Sequence, residues 1–189
     1  MKKIVIYTDG SCIGNPGPGG WAFLLINISD GKKLTSQKKI IHRSDYSYHT
    51  TNNRMEMMAI LEALKFSQEN FPEYLIELNS DSNLLIQTLN QGWKRKANLD
   101  LWSEIDRFRN KLQIKYFWVK AHADDQYNNL CDEYAQKASA KAAKLLLKNP
   151  QIVEQAKLDH ANIVEKHSSK KPNSSKKSDQ NTSDQTSFF

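Results

Sequence analysis

The sequence predicts an α/β fold, a mixed five-stranded sheet with helices on both faces. Three observations predict it. The first β-branched run, Ile4-Val5-Ile6-Tyr7-Thr8, is apolar at successive positions, as in a strand covered on both sides. Two more strand-like segments follow it before any helical period begins, which makes an antiparallel meander. Helical and strand-like segments then alternate to residue 148, as parallel crossovers require.

The first strand delivers Asp9 to its carboxyl end, directly before Gly10-Ser11. Ligands of open α/β sheets collect outside strand carboxyl ends, so an acid there has a functional reading. Asp-Gly is equally a common turn pair. The Gly and Pro residues through Gly20 predict a shaped turn. Trp21 to Ile28 forms the second strand, Ser29-Asp30-Gly31 a hairpin turn, and Leu34 to His42 an edge strand flanked by Lys.

After a polar loop from Arg43 to Thr50, Thr51 caps a helix running to about Asn70, and Pro72 marks its end. At 100° per residue, Glu62, Lys65 and Glu69 share the solvent side. Glu56 falls opposite, among Ala59, Ile60 and Ala63. A carboxylate on the core-facing side is costly unless it is paired or binds a metal. Arg54 or a neighbouring strand is the plainer partner.

Tyr74 to Asn79 is the fourth strand. Ser80-Asp81-Ser82 follows it and opens a helix through Leu84, Leu85 and Leu89, so Asp81 is either a helix cap or a second acid just past a β-run. Trp93-Lys94-Arg95-Lys96, within Gln91 to Ala97, suits a nucleic-acid backbone groove with a stacking platform. A basic surface turn with a half-buried Trp has the same composition. A helix from Leu99 to Lys111 and a fifth strand from Lys115 to Val119 come next. The polar loop Lys120 to Asp125 carries His122. The last helix of the body runs from about Asn128 to Leu147, with an apolar stripe of Cys131, Ala135, Ala138, Ala142 and Leu145. Asp132 borders that stripe in the first turn, where an acid also favours the helix dipole.

Residues 1–148 therefore form one domain, and 149–189 a polar tail that is largely disordered, with room for a helix over Gln151 to Val164. The formal charge is +6, and six Lys against five Asp or Glu from Pro150 onward leave about +5 on the body, which suits a polyanionic partner. Cys12 and Cys131 lack metal-ligand spacing. No signal-like or long apolar segment precedes the first strand, so the expected setting is a monomer in the reducing cytoplasm, away from membranes.

Asp9, Glu56, Asp81 and Asp132 each have a mild explanation alone. Together they come from two strand ends, one core-facing helix position and one helix start, which can meet at one edge of the sheet. Four converging carboxylates need divalent cations, and hard oxygen ligands suit Mg²⁺ or Mn²⁺. Two such ions can activate a water and stabilise the leaving oxygen of a phosphodiester.

The runs Tyr7-Thr8-Asp9-Gly10-Ser11 with Gly14-Asn15-Pro16-Gly17, Thr51 to Glu56, Ser80-Asp81-Ser82, Trp118 to His122 and Cys131-Asp132-Glu133 resemble type 1 ribonuclease H, in order, over about Met1 to Ala143. The resemblance implies the ribonuclease H-like fold and hydrolysis of the RNA strand of an RNA–DNA hybrid to 5′-phosphate and 3′-hydroxyl ends. It implies ligation of two Mg²⁺, with Mn²⁺ as a substitute, by Asp9, Glu56, Asp81 and Asp132, and proton handling or help with product release by His122. It further implies minor-groove contacts from Asn15 and Asn52, a DNA phosphate held by Thr51 and Asn98, and Trp93 near the DNA-strand channel. Ala121, Ala123, Asp124 and Asp125 stand in a loop where the family commonly has Gly around its His, so the extra acids are expected to raise the His122 pKa or recruit a cation. The basic handle is compressed to Gly92 to Asn98, which predicts weaker, more salt-sensitive binding than in long-handled relatives. The last five residues, Gln185 to Phe189, loosely resemble a sliding-clamp docking peptide. The alternatives are an integrase- or resolvase-like nuclease of the same fold, or a non-catalytic hybrid-binding protein.

Overall fold

A computed structural model describes residues 2–29, 40–121, 123–149 and 151–168. Strand β1 (Lys3–Cys12) runs antiparallel to β2 (Gly17–Ser29), and β2 antiparallel to β3 (Ile40–Thr50). Helix α1 (Asn52–Asn70) leads to β4 (Leu75–Ser80), which pairs parallel with β1. Helices α2 (Asn83–Gln91) and α3 (Leu99–Arg109) precede β5 (Gln113–Trp118), parallel to β4. Helices α4 (Gln126–Lys148) and α5 (Gln151–Ser168) complete the described elements. The sheet order is β3-β2-β1-β4-β5, the mixed five-stranded α/β arrangement the sequence predicts.

Alternate residues of the central strands feed two cores. Ile4, Ile6, Phe23, Leu25, Ile76 and Leu78 pack with α1, α2 and α3 on one face. Ala22 and Leu24 pack on the other against Cys131 and Ala135 of α4. Burying both faces of β1 and β2 is what their unbroken apolar runs require.

The glycine-rich stretch departs from expectation. It is not one long turn, because β1 continues through Cys12 and β2 begins at Gly17. The glycines serve close packing instead. A Cβ on Gly10 would lie 2.2 Å from the Glu56 amide nitrogen, and one on Gly20 would lie 2.4 Å from that of Ser139. Their bare backbones let α1 and α4 approach the sheet from opposite sides.

The third strand is also displaced. Ile40 to Thr50 forms β3, so the segment from Arg43 to Thr50 is strand, not loop. Exposed polar side chains on an edge strand hide the period-two signal there. The proposed hairpin turn at Asp30-Gly31 and the strand start at Leu34 lie outside the described residues, as do His122 and Gln185 to Phe189. Downstream of residue 149, α5 covers Gln151–Ser168, beginning where the sequence leaves room for a helix and running past Val164, and it lies against β3. Among the described residues no helix is long and apolar enough to cross a membrane.

Candidate active site

Asp9 is not at the carboxyl end of β1, which continues to Cys12 alongside β2, but it lies one residue beyond the last pairing of β1 with β4, Thr8 opposite Ser80, and so stands level with Asp81 just past the end of β4. Asp9 is 5% exposed, and its Oδ1 accepts from the Gly10 amide at 2.7 Å. Burial first, then the charges of Asp81, Asp132 and Glu56, push its carboxyl up to about 8, while the Gly10 amide works the other way. Three other acids thus act on Asp9 through space, although the chain separates them from it by as much as the interval from Asp9 to Asp132.

Thr51 opens α1, its hydroxyl accepting from the Arg54 amide at 3.3 Å. The helix then carries Glu56 toward the sheet at Gly10. The partner of Glu56 is not Arg54. Ser82 donates to its Oε2 at 2.5 Å and the Asn52 side chain to its Oε1 at 2.9 Å. Burial raises the Glu56 pKa and Asp81 adds to the rise, against the Ser82 bond, which lowers it. Two neutral donors orient this carboxylate without cancelling its charge.

Asp81 is not the cap of α2; Ser82 holds that position, and it spends its hydroxyl on Glu56. The exposed Trp118, at the end of β5, donates its indole N–H to the Asp81 carbonyl at 3.1 Å and so braces the turn from which Asp81 projects. The helix-dipole explanation of Asp132 also fails. Helix α4 starts at Gln126 behind Asp125, whose carboxylate caps the Tyr127 and Asn128 amides, so Asp132 lies beyond the first turn. Its Oδ1 accepts from Gln136 at 2.8 Å. The cap role gives Asp125 a use other than the cation recruitment expected of it. Sequence reading missed Ser82 and Trp118 as supports; the direct adjacency of Ser82 to Asp81 was the available signal.

The expected substrate residues form a chain of contacts beside the acids. Asn15 accepts from the Asn52 amide at 3.1 Å, and Asn52 in turn reaches Glu56. Asn98, left-handed with φ 53°, donates to Asn53 at 2.8 Å and accepts from Arg54 at 3.1 Å, which brings it to the Thr51 corner. Arg54 also grips both carboxylate oxygens of Asp100. Trp93 stands apart: it is exposed, and its indole donates to Gln91. Within the basic segment Arg95 is drawn inward, paired with Asp106 and lying over the Trp102 ring, while Lys94 and Lys96 remain exposed.

All the converging donors are hard carboxylate oxygens, the set that divalent Mg²⁺ or Mn²⁺ prefers. Among the described residues no three Asp, Glu, His or Cys side chains form a ready-made ion cage. A closed cage is not needed for an ion that keeps several waters or substrate oxygens in its shell. A carboxyl pushed up to about 8 by burial, with three other carboxylates adding to the rise, is the electrostatic signature of a site suited to a cation.

The RNase H family model matches residues 1–140. Ribonuclease H of Campylobacter jejuni is 43% identical over 152 residues, covering 76% of this chain and 96% of the relative. Ribonuclease H of Chlorobaculum parvum is 41% identical over 151 residues, covering 72% and 95%. Among solved structures, LC9-RNase H1, a type 1 RNase H with the type 2 active-site motif, aligns with a TM-score of 0.66 at 25% identity over 75% of this chain and 74% of that one. LC11-RNase H1, solved in complex with an RNA/DNA hybrid, aligns with a TM-score of 0.59 at 26% identity over 75% and 99%. Order of strands, placement of acids and sequence kinship agree: this chain belongs to the ribonuclease H family, among the type 1 enzymes.

Proposed function

We propose that this protein hydrolyses the RNA strand of RNA–DNA hybrids, leaving 5′-phosphate and 3′-hydroxyl ends, with Asp9, Glu56, Asp81 and Asp132 as the ligands of two Mg²⁺, replaceable by Mn²⁺. The observation that carries the reading is Asp9, buried and pushed up to about 8 chiefly by burial and by three other carboxylates. Bound there, divalent ions supply an activated water and a counter-charge for the leaving oxygen in an in-line displacement. Family membership supports that dependence on divalent metal.

The chain's own residues do the rest. Asp9 presents its oxygens from within β1 where the pairing with β4 stops, Asp81 from just past the end of β4, and Asp132 from α4. Ser82 and Asn52 fix the rotamer of Glu56, so little ordering is left to occur on binding. Asn52 faces Asn15 on one side and Glu56 on the other, which couples minor-groove recognition of 2′-hydroxyls to the placement of a ligand. Thr51 and Asn98 hold a phosphate of the DNA strand, setting register without reading bases. Trp93, with Lys94 and Lys96, borders the DNA strand, and His122 handles the proton or helps the product leave. The catalytic unit is residues 1–148. The terminal Gln185 to Phe189 docks on a sliding clamp, and a clamp pull-down unchanged by deleting Phe188 and Phe189 rejects that part.

The decisive experiment is cleavage of labelled RNA–DNA hybrid beside single-stranded RNA, duplex RNA and duplex DNA, with and without Mg²⁺. Only the hybrid is cut efficiently, and only with the metal. Cleavage of duplex DNA would favour an integrase- or resolvase-like nuclease, and hybrid binding without cleavage in either metal would make the chain a binder.

A further inference from the structure

Helix α5 begins beyond residue 140, the last that the family model matches, and it lies against β3. Ala156, His160 and Ile163, spaced four and three along α5, share the face that it turns to a cavity of about 380 Å³ between α5, β3 and α1. An imidazole thus stands at the centre of a stripe where an apolar side chain would dock the helix. Beside it is a second, His49 of β3. Both residues are half-buried, with ring centroids 5.2 Å apart and ring planes at 86°.

That separation has a chemical meaning. Two imidazoles that share one tetrahedral Zn²⁺ at a Zn–N distance of about 2.0–2.1 Å have ring centroids about 5 Å apart. Ring planes that cross steeply let a single ion lie in both. The donor type points the same way, because imidazole suits Zn²⁺, whereas the hard oxygens of the acid cluster suit Mg²⁺.

The charges on the cavity wall favour a cation. Arg54 is answered by both oxygens of Asp100 on α3, at 3.1 and 2.6 Å. Tyr46 and Tyr48 are neutral near pH 7. Asp159, exposed and next to His160 on α5, accepts from Gln155 at 2.9 Å, a neutral partner that leaves its charge in place. The three side chains do not form a closed cage as they stand. Turning from Gln155 toward the cavity lets Asp159 complete one.

We infer that His49 and His160 bind a Zn²⁺ ion, with the Asp159 carboxylate as a third, charge-balancing donor, and that the ion clasps α5 to β3. The site is separate from the acid cluster and independent of the hybrid reading.

The test titrates Zn²⁺ into the full chain, stripped of metal and then saturated with Mg²⁺, while NMR follows the imidazole protons. One equivalent of Zn²⁺ should shift the His49 and His160 resonances, and Mg²⁺ should shift neither. His42, on the same strand but stacked on Tyr134, should stay in place. Loss of an outer-shell partner already costs about 10–100-fold in metal affinity, so His49→Gln and His160→Gln should each weaken Zn²⁺ binding by about tenfold or more. Asp159→Asn should weaken it by a smaller factor. His160→Cys should restore binding and, with Co²⁺ as the probe, add a cobalt–thiolate absorption band, which separates a lost ligand from a displaced α5. Zn²⁺ should raise the melting temperature of wild type and His160→Cys but not of His160→Gln. An unmoved resonance at either His49 or His160, or Zn²⁺ affinity that survives either Gln substitution, would overturn the inference. Failure to cleave hybrid would overturn only the enzyme reading, since none of these measurements needs turnover.

Discussion

The acid cluster and the Thr51–Asn98 corner both adjoin the N-terminal end of α1, yet they treat charge in opposite ways. At the corner, Arg54 meets Asp100 and Asn98 meets both Asn53 and Arg54. In the cluster, Asp9 is buried against three like charges and Glu56 is held only by neutral donors. The corner is complete before any ligand arrives, whereas the cluster carries a repulsion that a ligand would relieve. A positioning site can be satisfied in advance; a site that gathers cations gains from not being so.

The largest effect should come from neutralising one acid of the cluster. Asp81→Asn is expected to lower kcat on hybrid by about a thousandfold or more while changing hybrid Kd by less than about tenfold. Comparable losses of binding and turnover would erase the distinction between the two regions. Ser82→Ala should reduce kcat by about tenfold, the usual scale for a residue that orients a ligand. It also removes the bond that lowers the Glu56 pKa, so the acid limb of the pH–rate profile should move to higher pH. A profile that stays in place would show that Glu56 needs no such support.

Stability should separate the regions in sign. Arg54→Ala leaves Asp100 without its guanidinium, with both side chains largely buried, and should destabilise the fold by about 2 kcal/mol in chemical denaturation. Asp9→Asn should stabilise the metal-free protein. Because the folded-state pKa of Asp9 is raised to about 8, the stability tied to its protonated form is fully present below about pH 4 and is lost as pH rises through 8. Metal-free Asp9→Asn should therefore melt about 5 °C above wild type at pH 8.5 and level with it near pH 4. Saturating Mg²⁺ should shrink that gap by stabilising wild type alone. A mutant that melts lower than wild type at pH 8.5 would mean that the cluster is already compensated.

The elements whose signal is local were legible in the chain. Thr51 caps α1, the helix ends at Asn70 before Pro72, and the solvent face pairs Lys65 with Glu62. The side of α1 that carries Glu56 follows from helical geometry alone. Other features were misread because their cause lies elsewhere in the fold. The glycines at 10 and 20 look like a turn until the backbones of α1 and α4 are seen pressing on them. Polar β3 shows its strand character only through pairing with β2. Arg54, two residues from Glu56 in sequence, goes to Asp100 because α3 packs against α1. Asp132 resembles a dipole acid until Asp125 takes the cap and moves the helix start upstream.

Sequence by itself determined which side chains can bear the chemistry and on which side of each element they stand, since periodicity and capping depend on a few neighbouring residues. Tertiary structure alone decided that burial and three other acids together carry Asp9 up to about 8, that Ser82 and Asn52 serve Glu56, and that α5 returns to β3. Charge interactions and helix docking depend on distance through space, and chain spacing does not encode that distance until the sheet order is set.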